Sequence, residues 1–555
     1  MPDVKLLSND RYHVMVTAEG SGYSRWNGLA VTRWREDAAL ESGGTFFYLR
    51  DAGNGEVWSA TARPVEPGQG ACTMQLTTGQ ATFSRRDHEL EVVTTIAVAA
   101  DDDVELRRLR VTNLSSRRRR LSITSFAEIV LAPPATDAAH PAFSKIFIET
   151  EIEPELGVIV ATRRPSAPDE TRAWCFHQAV VHGGHDGLSY ETDRLRFIGR
   201  GRDTSMPAAM LQDDALSGQE GPVLDAIAAI RVPLALEAGA SCTIDWWTGI
   251  AGTCDGCTAL AGTYRAPGAG DRVLGRAAVF ADAMLRRIGS NAADASTFER
   301  LAGALLCADA ALRGDADDIA QNRRGQSGLW GFGISGDVPV VLLRVAAPDQ
   351  LDLVRRLVQA QAFWSAHGIR CELMIVSGPA PADEPPLLEQ VQQAIAASGG
   401  AASLGKPGGI FVRDDATLDD GDRTLLKSVA RIVVAGSWDD LLRRLDPSPP
   451  VLLAPTVAVA SARPREETGQ DAPPPFDSAG LLDFNGHGGF TADRREYVVT
   501  ASASHMTPAP WTNVITNAEF GTLISESGSA STWSENAHEL RLTPWSNDPV
   551  GDANT

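Results

Sequence analysis

One skeleton occurs twice in this chain. Residues 19–37 read E-G-S-G-Y-S-R-W-N-G-L-A-V-T-R-W-R-E-D, and residues 526–548 read E-S-G-S-A-S-T-W-S-E-N-A-H-E-L-R-L-T-P-W-S-N-D. Each copy sets a Trp seven residues after its Glu (Trp26, Trp533). Each then carries a T-x-W-x-x-D hexad: Thr32, Trp34 and Asp37 in the first, Thr543, Trp545 and Asp548 in the second. The second copy has four more residues between its two tryptophans. Trp is scarce here, 12 in 555 residues, so matched pairs of rings point to an internal repeat. The wide spacing of the copies predicts two domains of one kind rather than a solenoid. Strand-like sequence follows the first copy for more than 200 residues, whereas the second stands seven residues from Thr555. The expectation is therefore that the second domain is cut off near its start and that the chain is a piece of a longer protein.

Hydrophobic periodicity divides the rest. Residues 1–265 alternate with period two, as in Leu121, Ile123, Ser125, Ala127, Ile129, in Ile146, Ile148, Ile152, and in Cys242, Ile244, Trp246. Half-buried antiparallel strands follow, and so many in one block predict a large two-sheet sandwich. Over 266–325 the spacing turns helical. Val273, Leu274, Ala277, Phe280, Ala281, Met284, Leu285 and Ile288 share one face, and Ser296-x-x-Glu299 reads as a capping box opening a second helix. Over 326–446 short apolar runs (339–345, 371–376, 410–412, 431–435) alternate with helix-like stretches (349–366, 386–398, 418–429, 438–445), which predicts a small parallel α/β layer with right-handed crossovers. A Pro-rich linker is expected over 447–480, and the start of a second sandwich over 481–555. The fold class expected is multidomain α+β.

A formal charge of -21 argues against nucleic acid, which requires a basic footprint. The run Arg117–Arg120 reads as a solvated hairpin turn rather than an anion site. Seven scattered Cys suggest no disulfide framework and a reducing compartment. Cys254-Asp-Gly-Cys257 lacks the second pair that a structural zinc needs, so no metal and no cofactor are expected. No apolar run approaches membrane-span length. Gly331-Phe-Gly333-Ile-Ser-Gly336 matches G-x-G-x-x-G but precedes a strand instead of following one, so a tight loop is the expected role. Asp337 and Arg344 flank that strand and read as a structural pair or solvated charges. G-x-S-x-G, H-E-x-x-H and P-loop motifs are absent from the sequence.

Two places offer ligand chemistry. In the repeat, Trp26, Trp34, Trp533 and Trp545 with Arg33, Arg541, Asp37 and Asp548 have what a sugar site uses: flat apolar faces for a pyranose and charged groups for its hydroxyls. The alternative is that these rings are core or interface residues and the arginines pair with nearby carboxylates. Residues 128–145, E-I-V-L-A-P-P-A-T-D-A-A-H-P-A-F-S-K, leave a strand through two prolines and carry His140 and Lys145. This loop either reaches toward a site or packs on its own sandwich. With 71 Asp and Glu, the sequence nominates no pair of catalytic carboxylates.

The stretches Y-S-R-W-N-G-L-A-V-T-R-W-R-E-D (23–37), E-V-W-S-A-T (56–61), L-A-P-P-A-T-D-A-A-H-P-A-F-S-K (131–145), P-E-L-G (154–157), Q-S-G-L-W-G-F-G-I-S-G-D (326–337), G-G-F (488–490), T-P-A-P-W-T-N-V-I (507–515) and R-L-T-P-W-S-N-D-P-V (541–550) resemble family 94 glycoside phosphorylases, formerly glycosyltransferase family 36. Within that family they are most similar to bacterial cyclic β-1,2-glucan synthases. The resemblance implies a sugar-associated β-supersandwich over 1–265. It also implies that the family's catalytic Asp and phosphate-binding groups lie in an (α/α)₆ barrel beyond the second sandwich, so no catalytic residue is assigned to this chain. The function it implies is a carbohydrate-binding or structural segment of a cyclic β-1,2-glucan synthase. Its partners would be a β-glucan or oligosaccharide and the remaining domains of the parent. The segment itself would be cytoplasmic and the parent associated with the inner membrane. The alternatives are a degenerate phosphorylase or transglycosylase, and a spacer.

Overall fold

The computed structural model describes residues 3–36, 41–65, 72–165, 167, 172–184, 187–379, 385–445, 478–502, 505–545 and 547–551. They fall into two compact units, one of residues 1–197 with 204–445 and one of residues 198–203 with 446–555.

The first unit is built on two antiparallel sheets. One has nine strands, in the order Val4–Ser8, Tyr12–Thr17, Gly22–Trp26, Leu29–Thr32, Arg119–Ala132, Ala226–Leu236, Ser189–Asp193. Thr45–Asp51 also pairs with Arg119–Ala132 and carries Val57–Ser59 beyond it. The other has eight strands: Ile148–Glu153, Val158–Arg163, Trp174–His182, Ser241–Ala251, Val104–Asn113, Leu90–Val98, Gln80–Asp87, Cys72–Thr77. The period-two residues Leu121, Ile123 and Ile129 meet Ile244 and Trp246 in one continuous core between the sheets. Alternation thus put one apolar face of each strand inward, as expected of a sandwich. The buried His177 beside that core is paired. His177 shares hydrogen bonds of 2.9 Å with Thr248 Oγ1 and Ser125 Oγ, and its ring stacks on Trp246. Burial lowers its pKa to about 3, so it is neutral.

Helices cover both outer faces. Cys254–Tyr264 and Ala269–Arg287 lie on the eight-stranded sheet, where Tyr264, Val273 and Ala277 pack with Trp247, Phe176 and Leu106. The Cys254–Tyr264 helix falls inside the stretch expected to be strands. Its Cys257 is packed in that cluster and, pushed above the usual thiol range by burial, behaves as a small apolar residue. Three further expectations are corrected. The helix Ala292–Leu306 is capped by Asn291 with Asp294; Ser296 and Glu299 lie within it, and Glu299 is buried against Lys5 at 2.9 Å. Ile146 precedes its strand, which begins at Ile148. Within the basic run, Arg119 is the first residue of the long strand. It turns inward to Asp51 and to the His88 carbonyl, while Arg117, Arg118 and Arg120 remain exposed.

The α/β layer forms where the apolar runs fall. Val340–Val345, Glu372–Ser377, Ile410–Asp414 and Ile432–Val434 are all parallel, and the third, second, first and fourth strands lie side by side in that order. Right-handed crossovers in such an order put helices on both faces. Leu351–Ala366 and Leu387–Ala397 pack on one face, and Asp420–Val429 on the other. The first face continues into the sandwich: Val4, Leu6, Met15 and Tyr23 of the nine-stranded sheet share a core with Phe298, Leu301 and Trp364. The order reverses between the first and fourth strands, where α/β sheets open a crevice for phosphates. Here Gln350 closes it. Its Oε1 accepts the N–H groups of Ala346 (2.6 Å) and Ala347 (3.3 Å), and its Nε2 donates to the Gly436 carbonyl (2.9 Å). The glycine-rich motif lies ahead of the first strand, at the end of the turn Gln326–Phe332.

In the second unit, Gly488–Phe490 pairs with Tyr497–Val499, and Thr512–Thr516, Phe520–Ser525 and Ala530–Ser534 form a three-stranded antiparallel sheet. Most of the linker expected over 447–480 lies outside the described residues.

Candidate functional site

The densest gathering of ionic groups in the first unit joins both places singled out in the sequence. Arg33 follows the strand Leu29–Thr32, whose neighbour Arg119–Ala132 carries Glu128; the Arg33 N–H donates to the Glu128 carbonyl at 3.0 Å. After Ala132 the chain forms two short helices, Pro134–Ala139 and Pro141–Lys145, each with Pro in its first turn, where a missing N–H costs nothing. These helices present Asp137 and Lys145. Two further members come from remote sequence: Arg194 opens the helix Arg194–Ile198, and Asp225 immediately precedes the strand Ala226–Leu236.

Three cations meet three carboxylates. Arg33 holds Asp137 bidentately, through Nε at 3.0 Å and Nη2 at 2.9 Å, and donates to Glu128 through Nη1. Arg194 spans Glu128 Oε1 and Asp225 Oδ2, each at 3.1 Å. Lys145 Nζ lies 2.6 Å from Asp225 Oδ2. Five of the six side chains are no more than 10% exposed, and Glu128 is 16% exposed. Burial by itself would raise the Glu128 carboxyl, but Arg194, Arg33 and Lys145 outweigh it and hold it well below the usual range. Burial likewise works against ionised Asp137, and Arg33 overcomes it. Asp225 is pushed up, by burial first and by Glu128, against the pull of Lys145 and Arg194. Arg33 is stabilised as a cation: burial disfavours its charge, and Glu128, Asp137 and Asp225 more than restore it. Such a network ties the 134–145 helices and the 194–225 segment to the sandwich, and loss of one member leaves an opposite charge buried and unpaired.

The other described candidates are not members of this network. Trp26 is half-buried on the main core, and its Nε1 donates to Asp103 at 2.7 Å. Trp34 packs on the core shared with the α/β layer, its ring edge-on to Tyr23 at 5.8 Å. His140 is exposed at the junction of the two short helices. Asp37 lies outside the described residues. In the second unit, Trp533 lies over Gly521, Arg541 is bridged to Trp533, Trp545 is half-buried, and Asp548 Oδ1 accepts the Val550 N–H at 3.0 Å. Glu128, Asp137, Arg194 and Asp225 were not among the residues singled out. The signal available for two of them was a lone carboxylate in an apolar run, as in S-F-A-E-I-V-L-A and V-L-D-A-I-A-A-I. Among the described residues, no group of three or more His, Cys, Asp and Glu is placed to hold a metal.

Comparison with known proteins agrees with this architecture. The cyclic β-(1,2)-glucan synthase NdvB of Rhizobium meliloti (strain 1021) is 34% identical over 564 residues, which cover 98% of this chain and 20% of the synthase. The N,N′-diacetylchitobiose phosphorylase of Vibrio proteolyticus is 24% identical over 38% of this chain and 26% of its own length. The solabiose phosphorylase of Paenibacillus borealis is 26% identical over 31% of this chain and 22% of its own. The chain therefore spans about a fifth to a quarter of the length of the relatives it matches. The supersandwich domain of glycosyl hydrolase 94 matches residues 1–267 and again 495–555, the two regions that carry the repeated skeleton. With most of its length matched by that domain, the chain belongs to the glycosyl hydrolase 94 family.

Proposed function

We propose that this chain is a carbohydrate-holding segment of a cyclic β-1,2-glucan synthase and supplies no catalytic residues of its own. The observation that carries the reading is the pairing within the charge network. Inverting glycoside chemistry needs a carboxylic acid free to protonate a leaving oxygen. Glu128, Asp137 and Asp225 are instead buried against Arg33, Lys145 and Arg194. Similarity along 98% of the chain to a protein named as such a synthase supports the substrate class. The segment then has five parts: a supersandwich over 1–265, a helical region over 266–325, an α/β domain over 326–446, a linker over 447–480 and the start of a second sandwich over 481–555. Its partners are a β-glucan and the other domains of the synthase. It works on the cytoplasmic side, attached to a membrane-associated parent. Candidate contacts for glucan are Trp26, Arg33, Trp34, Asp37, His140 and Lys145, with Trp533, Arg541, Trp545 and Asp548 in the second copy.

The test incubates the chain with β-1,2-linked gluco-oligosaccharides and inorganic phosphate. Binding by calorimetry with no glucose 1-phosphate and an unchanged distribution of chain lengths is the expected result. Release of glucose 1-phosphate, or redistribution of chain lengths, would replace it with the phosphorylase or transglycosylase reading. Absence of binding would leave a spacer.

A further inference from the structure

Alternation along the strands of the second unit sorts their side chains onto two faces. The register fixes which residues share one. Ile515 pairs with Thr522, Thr522 with Thr532, Phe520 with Ser534, and Ile524 with both Asn513 and Ala530. Residues 540–542 run beside Ala530–Ser534: the Ser534 N–H donates to the Leu540 carbonyl at 3.0 Å, and the Leu542 N–H to the Thr532 carbonyl at 2.9 Å. One face therefore carries Ile515, Phe520, Ile524, Leu540 and Leu542, and none of the residues paired with them there is charged. All five are exposed, from 40% for Ile524 to 59% for Leu542. An uncharged apolar face of that extent marks a contact surface.

The first unit shows what such a face is shaped to meet. Its strands Val4–Ser8, Tyr12–Thr17, Gly22–Trp26 and Leu29–Thr32 pair in the same register. Leu7 stands where Ile515 does, Tyr12 for Phe520, Val16 for Ile524, Leu29 for Leu540 and Val31 for Leu542. Leu7, Tyr12, Val16 and Val31 are at most 2% exposed, and Leu29 packs against the same core, which includes Leu90, Val92, Leu109 and Ile244 of the eight-stranded sheet. The complement of the face is thus the apolar inner face of another antiparallel sheet. A second copy of this chain brings one, because the five side chains are themselves such a face. With a formal charge of -21, two copies repel each other, and an uncharged face is where they can touch without like charges meeting. At roughly 100 Å² of exposed surface for each of the five, two closing faces bury on the order of 1,000 Å², the size at which specific contacts begin. From this match we infer that the face bearing Ile515, Phe520 and Leu542 joins two copies of the chain about a two-fold axis, each sheet serving as the other's second layer. Dimerisation of this kind does not require glucan.

Sedimentation equilibrium of the full chain across the micromolar range tests it. A reversible monomer–dimer equilibrium is expected, and added salt should tighten it by screening the net charge. Phe520→Asp and Leu542→Asp should each weaken it by about tenfold or more, since the new charge would be buried unpaired. Val514→Asp, at an exposed site on the opposite face of the sheet, should leave it unchanged within about twofold. Because all three sites are exposed, the circular dichroism of the variants should match the parent. A monomer throughout the range, dissociation by salt, or equal weakening by Val514→Asp would overturn the interface. If Phe520 were also shielded from hydroxyl-radical labelling in such a monomer, the face would belong to another part of the same chain.

Discussion

The two copies of the repeated skeleton fold into hairpins that can be laid strand on strand, and the tryptophans do not coincide. In the first, Asn9 caps the turn into Tyr12–Thr17, Val16 pairs with Gly22, and Tyr12 pairs with Trp26. In the second, Asn517 caps the turn into Phe520–Ser525, Ile524 pairs with Ala530, and Phe520 pairs with Ser534. Trp533 therefore occupies the place of Arg25, opposite Gly521, and faces the other side of its hairpin from Trp26. A slip of one residue along a strand does this. The hexad threonines do coincide. Thr32 Oγ1 accepts the N–H of Ser24 at 2.9 Å, and Thr543 Oγ1 that of the matching Thr532 at 2.8 Å. The same frame places Trp545 at Trp34 and Pro544 at Arg33. It also accounts for the four extra residues between the second pair of tryptophans. One is the slip. The other three lie in the connection, which in the first copy is the two-residue turn Asn27-Gly28, with φ of 45° and 86°. What recurs is thus a backbone scaffold pinned by Asn and Thr; among the described residues, the charge network is built on the first copy.

The largest expected difference lies at the Arg33 position. Arg33→Met strands Asp137 and leaves Glu128 to Arg194 alone, and should destabilise the first unit by about 3–5 kcal/mol. Pro544→Ala, at the matching exposed site, should change the second by no more than about 0.5 kcal/mol. Urea unfolding followed for each unit reads both, and equal effects would break the comparison. Next come the rings. Trp26→Ala loses packing on the main core and the Asp103 bond and should cost about 2–3 kcal/mol, against about 1 kcal/mol for Trp533→Ala.

Acid separates the regions by a further route. The folded pKa of His177 is about 3, below its unfolded value near 6.5. Its contribution is therefore whole above about pH 6.5 and is lost as pH falls from there toward 3. Between pH 7 and pH 5 this one side chain should cost the first unit about 2 kcal/mol. His13 and His367, each lowered by burial to about 4, add in the same direction. A urea midpoint of the first unit that does not move between those pH values would refute the neutral buried histidines. The last comparison sharpens the shared feature. Thr32→Val leaves a buried N–H unpaired and should cost about 1–3 kcal/mol, whereas Thr543→Val, exposed, should cost no more than about 0.5 kcal/mol. Amide exchange at Ser24 and Thr532 should nonetheless quicken in the respective variants.

Much of this molecule was legible from local pattern. Period-two alternation located strands such as Arg119–Ala132 and Ser241–Ala251, and the switch to helical spacing after residue 270 located Ala269–Arg287. Apolar runs alternating with helices marked each strand of the parallel layer to within a few residues. These are properties of neighbours in sequence, which is where periodicity resides. The sequence offers Arg33 and Lys145 as candidate carbohydrate contacts, but not as residues that share Asp225. Register, partner and burial belonged to the tertiary structure. Arg194 and Asp225 reach Arg33 and Lys145 only because the strand Arg119–Ala132 is bordered by both Leu29–Thr32 and Ala226–Leu236. The inward turn of Arg119 and the slip that parts Trp26 from Trp533 were likewise decided there. A charge in a strand has the same local pattern whether it meets water or a buried counter-ion. Only the sheet that closes over it decides which.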